Sequence, residues 1–340
     1  MMVSGIGGLA FGHPSMLFVL AIAFNLIICG EKFHSRAMST PLALAGRIID
    51  ILERRYNRAQ MSAAMRRTDG ISVVAFLCFV SLLIGLIADA ATIKVHFAWI
   101  ATAILAGTLL NVRTFLDRSL AFTLGLERSL SEGRATLALL SGRDTTEMDH
   151  AGATRAGVEC TSRFLAEGIV ASAFYFFLFG LAGLFLFKAI NITSQLLDER
   201  SDWTHDFGWA AARINEALVW PVSWVAAVLI ALAAAPLSLR STGAAIAHAL
   251  KERGKLKGWV SGCAAAAMAG AVGIKLEQPL IAKDGDKEAH SVGPEELAAH
   301  IDHLAKARQI YVTVCFLLVV VALVLASFQM PLPLTYWPFL

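Results

Sequence analysis

Residues 155–167 read RAGVECTSRFLAE and residues 168–187 read GIVASAFYFFLFGLAGLFLF, so a segment bearing four charges runs straight into one bearing none. Twenty uncharged residues meet the length of about 20 that a helix needs to cross the hydrocarbon core of a bilayer. Asn191 and Thr193 follow at once. Ionisable and polar groups set against a membrane span are costly, which makes them functional candidates. On one side of this junction stands GRDT at 142–145, and on the other FGWAAAR at 207–213 with Asn215-Glu216.

The spacing within 155–167 carries its own argument. Arg155, Glu159, Arg163 and Glu167 fall four apart and share one face of a helix with alternating sign. Exposed pairs of this kind contribute about 0.2–0.5 kcal/mol each, and more is at stake when the face is dry. The ladder reads equally as a salt-bridged structural element or as an acidic site in which oxygen ligands hold Mg²⁺.

Composition sets the class. The chain is 57% hydrophobic and 16% charged with a mean hydropathy of +0.64, which is the profile of a polytopic membrane protein. The expected fold is all-α, a polytopic membrane helical bundle of about six spans with amphipathic and re-entrant helices, forming a single integral membrane domain over 1–340. Net charge is a mild +3 and the basic residues lie between spans, so nucleic acid is excluded as a partner and membrane lipid is implied. Cys29, Cys78, Cys160, Cys263 and Cys315 lie far apart with no C-x-x-C spacing, so neither a disulfide framework nor a zinc site is indicated. They read as small buried hydrophobes.

Outward from the junction, the first charge is Glu31, so Met16 to Gly30 reads as a retained span rather than a cleaved signal. Asn25 within it is expected to bond a neighbouring helix. Residues 31–70 hold eight Lys or Arg against four Asp or Glu, which places them in the cytoplasm. Leu42, Leu44, Ile48, Ile49, Ile51 and Leu52 recur there at roughly helical spacing with Arg47, Arg54, Arg55 and Arg58 elsewhere around the cylinder. That pattern reads as an interfacial helix or as one packed on the bundle. Spans at Ile71 to Ile93 and Val95 to Val112 form a hairpin, with Asp89 near the end of the first at the interface or in a buried polar role. Spans are also expected from Ala217 to Leu239, with Pro221 and Pro236 near its ends, and from Ile310 to Gln329. The apolar run Trp259 to Ile274 is too short to cross and reads as a close-packed or re-entrant helix. The basic loops 31–70, 113–165 and 240–309 on one side, and the acidic loop 191–216 on the other, give an N-out, C-out topology in the cell inner (plasma) membrane.

The order of landmarks over residues 20–300 resembles the CobD/CbiB family of cobalamin biosynthesis. The shared marks are GRDT at 142–145, Val158-Glu159, Asn191 after a span, FGWAAAR at 207–213 and AMAGAVG at 267–273, with Gly30-Glu31, Pro41 and Gly46-Arg47-Ile48-Ile49 upstream. The departures fall on polar places: Arg163-Phe164, Glu167-Gly168 and Ser172 where the family has E-N, D-G and Pro. Likewise Ser194-Gln195 stands in N-T-L-D-S, and Asn215-Glu216 stands for D-D. A hydrophobic span at 310–329 follows the shared region.

The resemblance implies adenosylcobinamide-phosphate synthase activity, an ATP- and Mg²⁺-dependent amide ligation of aminopropanol or its phosphate to adenosylcobyric acid. It assigns catalysis to Arg143, Asp144, Thr145, Glu159 and Asn191, phosphate binding to Arg143 and Arg213, and the metal to Asp144, Glu159 and Glu216. Thr145 reads as a phosphate contact or as a helix cap. The partners implied are a corrinoid and aminopropanol (phosphate), with room for a membrane-protein partner or a homo-oligomer. The alternative is a catalytically silent accessory or sensor on the same scaffold, as in the similar AmpE-like proteins. No Walker loop, G-x-S-x-G elbow or H-E-x-x-H helix occurs. One shared site would require 168–194 to be broken or re-entrant near Gly180 and Gly183, because its two ends otherwise lie on opposite sides.

Overall fold

The structure is a computed structural model that describes residues 14–28, 41–58, 60–94, 97–142, 144–198, 202–252, 260–277, 291–294 and 299–328. In chain order the elements are α1 (Pro14–Ile28), α2 (Pro41–Tyr56), α3 (Ala63–Lys94), α4 (Ala98–Leu110), α5 (Val112–Arg128), α6 (Leu130–Ser141) and α7 (His150–Arg163). A π-helical turn (Phe164–Val170) joins α7 to α8 (Ala171–Asp198). They are followed by α9 (Asp202–Ala233), α10 (Leu239–Lys251), α11 (Gly262–Val272), the two-residue strands β1 (Leu276–Glu277) and β2 (Ser291–Val292), and α12 (Asp302–Ser327). The protein is thus a helical membrane bundle. Among the described residues five stretches are long and apolar enough to cross a membrane: Ala63–Thr92, Ala98–Arg128, His150–Leu197, Asp206–Ala233 and Asp302–Ser327. Pro14–Ile28 is a shorter apolar helix.

Contacts divide the chain, whose composition suggested one bundle, into two compact units. The first comprises Met1–Thr114, Ala171–Leu218 and Leu318–Leu340, and the second Phe115–Val170 and Val219–Leu317.

Within the first unit, α8 does not run straight. The stretch His150–Leu197 has 48 residues, which would extend about 72 Å at 1.5 Å per residue, more than twice a hydrocarbon core of about 30 Å. It breaks at Gly180, where φ is 65° and ψ −150°, a conformation open to glycine. The chain folds back there. The rings of Tyr175 and Phe187 stack with centroids 5.1 Å apart, whereas twelve residues of straight helix would separate them by about 18 Å. A Cβ on Gly183 would lie 2.4 Å from the Tyr175 carbonyl oxygen, so the two arms pack backbone to backbone.

A break inside a membrane helix leaves amides without intrahelical acceptors. Here α3 supplies them: the Asp89 carboxylate accepts the N–H of Leu181 and of Ala182, both at 3.0 Å. Gly85, one turn earlier, lets α3 approach so closely that an added Cβ would meet Ala182 Cα at 2.4 Å. Asp89, half-buried, thus takes a polar structural role at the break.

The hairpin returns its second arm to the start of α3. Ile49, Val73, Leu197 and Phe207 form one buried cluster, an added Cβ on Gly70 would meet the Phe207 carbonyl oxygen at 2.0 Å, and Arg67 pairs with Asp206 at 3.0 Å. This corrects the topology read from charge counts, which set 31–70 and 191–216 on opposite sides. The counting rule weighs loops independently and assumes that 168–194 crosses once; a hairpin reverses that assignment. Asn25 behaves as its sequence suggested, donating to Gly107 O at 2.7 Å and accepting from Arg113 N at 2.9 Å.

The second unit is built on small residues. All eleven residues of α11 are buried, and it packs on α10 where Gly270 faces the Ala244 carbonyl oxygen at 2.4 Å from an added Cβ. Close packing is thus the outcome for the short apolar run, as glycine and alanine allow. Gly157 on α7 similarly admits Phe122 and Leu304. Phe115 lies against Phe164 and Tyr311 with centroids at 4.8 and 4.6 Å. Pro221, expected near the start of a span, falls inside α9 because that helix begins at Asp202.

Three outcomes are expected. Asp89→Ala leaves two buried amides unsatisfied and should destabilise the detergent-solubilised protein by about 2–6 kcal/mol, at about 1–3 kcal/mol per orphaned group. Gly180→Ala should also lower the melting temperature, since its Cβ would meet Asp89 Oδ2 at 2.9 Å; an unchanged melt for both would show that the break does not depend on this contact. Single cysteines at positions 67 and 206 should react with an impermeant thiol reagent from the same side of sealed vesicles, whereas labelling from opposite sides would restore the single-crossing topology.

Candidate functional site

The sequence-selected residues divide between the two units. Asn191, Arg213 and Glu216 belong to the first, and Asp144, Thr145 and Glu159 to the second. Arg143 lies outside the described residues.

In the first unit the second arm of α8 and the first turns of α9 face each other through amides. Asn191 Nδ2 donates to Asn215 Oδ1 at 3.2 Å, and Gln195 Nε2 donates to Asn191 Oδ1 at 3.3 Å. Asn191 and Asn215 are buried, as is Lys188 one turn before Asn191. A buried amide that both donates and accepts is stable without a counter-charge, which carboxylates at the same places are not. Further along α9, Arg213 pairs with Glu216 at 2.6 Å, both partly exposed. The metal role expected of Glu216 thus competes with an ion pair on its own helix. On the same face, Arg67 donates through Nε and Nη2 to Asp206 Oδ1 and lies 6.0 Å from the Trp209 ring centroid. Sequence reasoning passed over Arg67, because its partners stand more than a hundred residues away and no periodicity links them.

In the second unit the GRDT element is a tightly tied turn. Ser129 caps α6 through Glu132 N, Gly142 ends it in the left-handed region at φ 74°, and Asp149 caps α7 through Gly152 N at 2.6 Å. Between them Thr145, buried, donates to Arg134 O at 2.8 Å, and Arg134 Nε donates to Met148 O at 2.7 Å. The Thr145 hydroxyl therefore braces the turn. Asp144 is exposed and its Oδ1 accepts both the hydroxyl and the backbone N–H of Thr146. Those bonds, the hydroxyl first, hold its carboxyl below the usual range, so it is ionised at neutral pH.

The charge ladder is only partly helical. Arg155, Glu159 and Arg163 lie on α7, but at Phe164 the helix widens to a π turn that carries Glu167. The 3.6-residue spacing assumed for the fourth rung therefore ends one residue after Arg163. Single π turns are common at functional sites. Glu159 and Glu167 are both buried, which makes the ladder dry, and Arg163 Nη2 donates to Ser141 O at 3.3 Å. On α7 and on α12, which meet at Gly157 and Leu304, Arg155 Nε and Arg308 Nη1 are buried without hydrogen-bond partners. Guanidinium donors left over in a protected place suit an anion such as phosphate.

Among the described residues no three of His, Cys, Asp and Glu come together. Mg²⁺ habitually takes only one or two carboxylates and completes its shell with water and phosphate oxygens; of the two expected for it in the second unit, Asp144 is exposed on the turn and Glu159 is buried on α7.

Replacing Thr146 with Val removes the hydroxyl that most lowers the Asp144 pKa. That pKa should rise toward the ordinary carboxylate value, read by carboxyl ¹³C titration. Because the folded value is depressed, any stability Asp144 contributes is present above the unfolded value and lost as pH falls through the folded one. An unshifted titration in Thr146→Val would show that the bond does not form in solution.

The profile of the family described as CobD/Cbib protein matches residues 18–311. A cobalamin biosynthesis protein CobD of Sinorhizobium sp is 26% identical over 271 residues, covering 78% of this chain and 83% of that one. The proteins of that name from Brucella anthropi and Rhodobacter capsulatus are 27% and 28% identical, with 74% and 79% of this chain and 81% and 83% of theirs covered. No solved structure matches the chain. The profile match runs through both compact units and through every motif discussed above, and on it this chain belongs to the CobD/CbiB family of cobalamin biosynthesis proteins.

Proposed function

We propose that this protein is an adenosylcobinamide-phosphate synthase of the inner membrane, joining aminopropanol or its phosphate to adenosylcobyric acid through an amide bond at the expense of ATP. Family membership supports the pathway, and the buried, unpartnered donors of Arg155 and Arg308 are the observation that supports phosphate chemistry.

The reaction balances in two steps. A carboxylate oxygen of the corrinoid attacks the γ-phosphorus of ATP, breaking its bond to the bridging oxygen and giving an acyl phosphate and ADP. The amine nitrogen then attacks the acyl carbon, the C–N bond forms, phosphate leaves with the bonding pair, and the nitrogen loses a proton to a base. Negative charge is concentrated on the transferring phosphoryl group, where preorganised donors act most strongly. Arg143, Arg155 and Arg308 are assigned to that clamp. Mg²⁺, when bound, would neutralise the phosphate oxygens, held by Asp144 and Glu159. Thr145 keeps the turn that presents Asp144. Asn191, bonded to Asn215 and Gln195, is assigned to holding the second arm of α8 against α9. Arg213 is assigned to a phosphate of the amine substrate.

Expression in a strain lacking its own synthase and supplied with adenosylcobyric acid should restore cobalamin-dependent growth. Arg308→Gln should lower kcat/KM for ATP by about 10- to 100-fold, the loss of one charge-assisted hydrogen bond of about 1.5–3 kcal/mol. Absence of product from well-folded protein given ATP, Mg²⁺ and both amines would refute the ligase reading and leave the silent scaffold.

A further inference from the structure

Helix α2 presents two apolar stripes, and the bundle uses only one. Ile49 is buried in the cluster with Val73, Leu197 and Phe207, and Gly46 approaches Leu196. Leu44, Ile48 and Ile51, at i, i+4 and i+7, form a second stripe and are exposed by 54%, 39% and 63%. Charge is sorted around the same cylinder. Arg47, Arg54, Arg55 and, just beyond the helix, Arg58 are exposed, whereas Asp50 and Glu53 lie on the half-buried side and are engaged in interactions there. The outward face is therefore apolar and purely cationic.

Depth identifies what lies against it. Ile49 packs on Val73, and Val73 sits where α3 changes from the charged turn Arg66, Arg67, Asp69 to the uncharged run that begins at Ile71. From there α3 exposes Ile71, Phe76 and Phe79, as a lipid-facing helix does. Helix α2 thus lies at the level where the first unit passes from charged to apolar, with apolar side chains outward and guanidiniums beside them. We infer that this face of α2 docks onto anionic phospholipid headgroups, with Leu44, Ile48 and Ile51 in the acyl boundary and Arg47, Arg54, Arg55 and Arg58 on the phosphates. The contact holds α2 in place against the arm of α8 that carries Asn191, and it does not depend on the ligase reading.

The test uses the full chain, with its native cysteines replaced, in nanodiscs of phosphatidylcholine alone or mixed with phosphatidylglycerol. A spin label at Ile51→Cys should collide with oxygen in preference to an aqueous nickel complex, matching a label at Phe79→Cys. Amide exchange across 44–56 should slow several-fold when phosphatidylglycerol is present, less so at high salt. Arg47, Arg54, Arg55 and Arg58 all changed to Gln should abolish that lipid dependence while leaving the melt of the bundle unchanged. A label at 51 that prefers the nickel complex, exchange indifferent to lipid charge, or a label shielded only by a second copy of the chain would each overturn the inference.

Discussion

Two hydrogen bonds to one carboxylate govern the first unit. A membrane helix can turn back only if the amides released at the turn find acceptors, because lipid offers none. Asp89 provides both from a helix that is otherwise uncharged from Ile71 to Thr92, at the positive end of the second arm of α8, where a carboxylate is also favoured by the helix dipole. The arrangement demands three glycines of different kinds. Gly180 supplies the positive φ, Gly183 allows one arm against the other, and Gly85 lets α3 deliver Asp89. With a single crossing in place of the hairpin, Leu197 could not return to Ile49 and Val73.

Much of this was legible, and the limits have physical causes. A shared site required a reversal between 168 and 194, and the two glycines of a long aromatic run were the places where it could occur; the chain turns at one and packs at the other. The acceptor that makes the turn tolerable was not legible as such, because Asp89 meets its partners across 92 and 93 residues and one-dimensional spacing records no such pairing. The same blindness affected Arg67 and Asp206. Counting charges per loop gave each a side, but a count carries no information about which charges attract each other.

In the second unit local chemistry was a better guide than long-range pattern. Gly142 at a helix end, Asp149 at a helix start and Thr145 between them are placed as turn chemistry favours, and the hydroxyl that could have faced a phosphate is spent on Arg134 O. The alternating ladder was sound for three rungs. It failed at the fourth because a π turn follows Arg163, a change of period that side-chain spacing cannot announce.

The polar residues that depart from the family pattern now fall into two chemical kinds. In the first unit one amide, Asn215, stands where a carboxylate was expected; it accepts from Asn191, which in turn accepts from Gln195. A carboxylate buried at the place of Asn215 would need a cation, since an isolated buried charge is far more costly than a paired amide. In the second unit the substitutions go the other way: Arg163 adds a guanidinium to a helix whose Glu159 is buried, and Glu167 follows in the buried π turn. In that unit two buried carboxylates, Glu159 and Glu167, thus stand with half-buried guanidiniums, of which Arg155 Nε and Arg308 Nη1 are buried atoms without a hydrogen-bond partner.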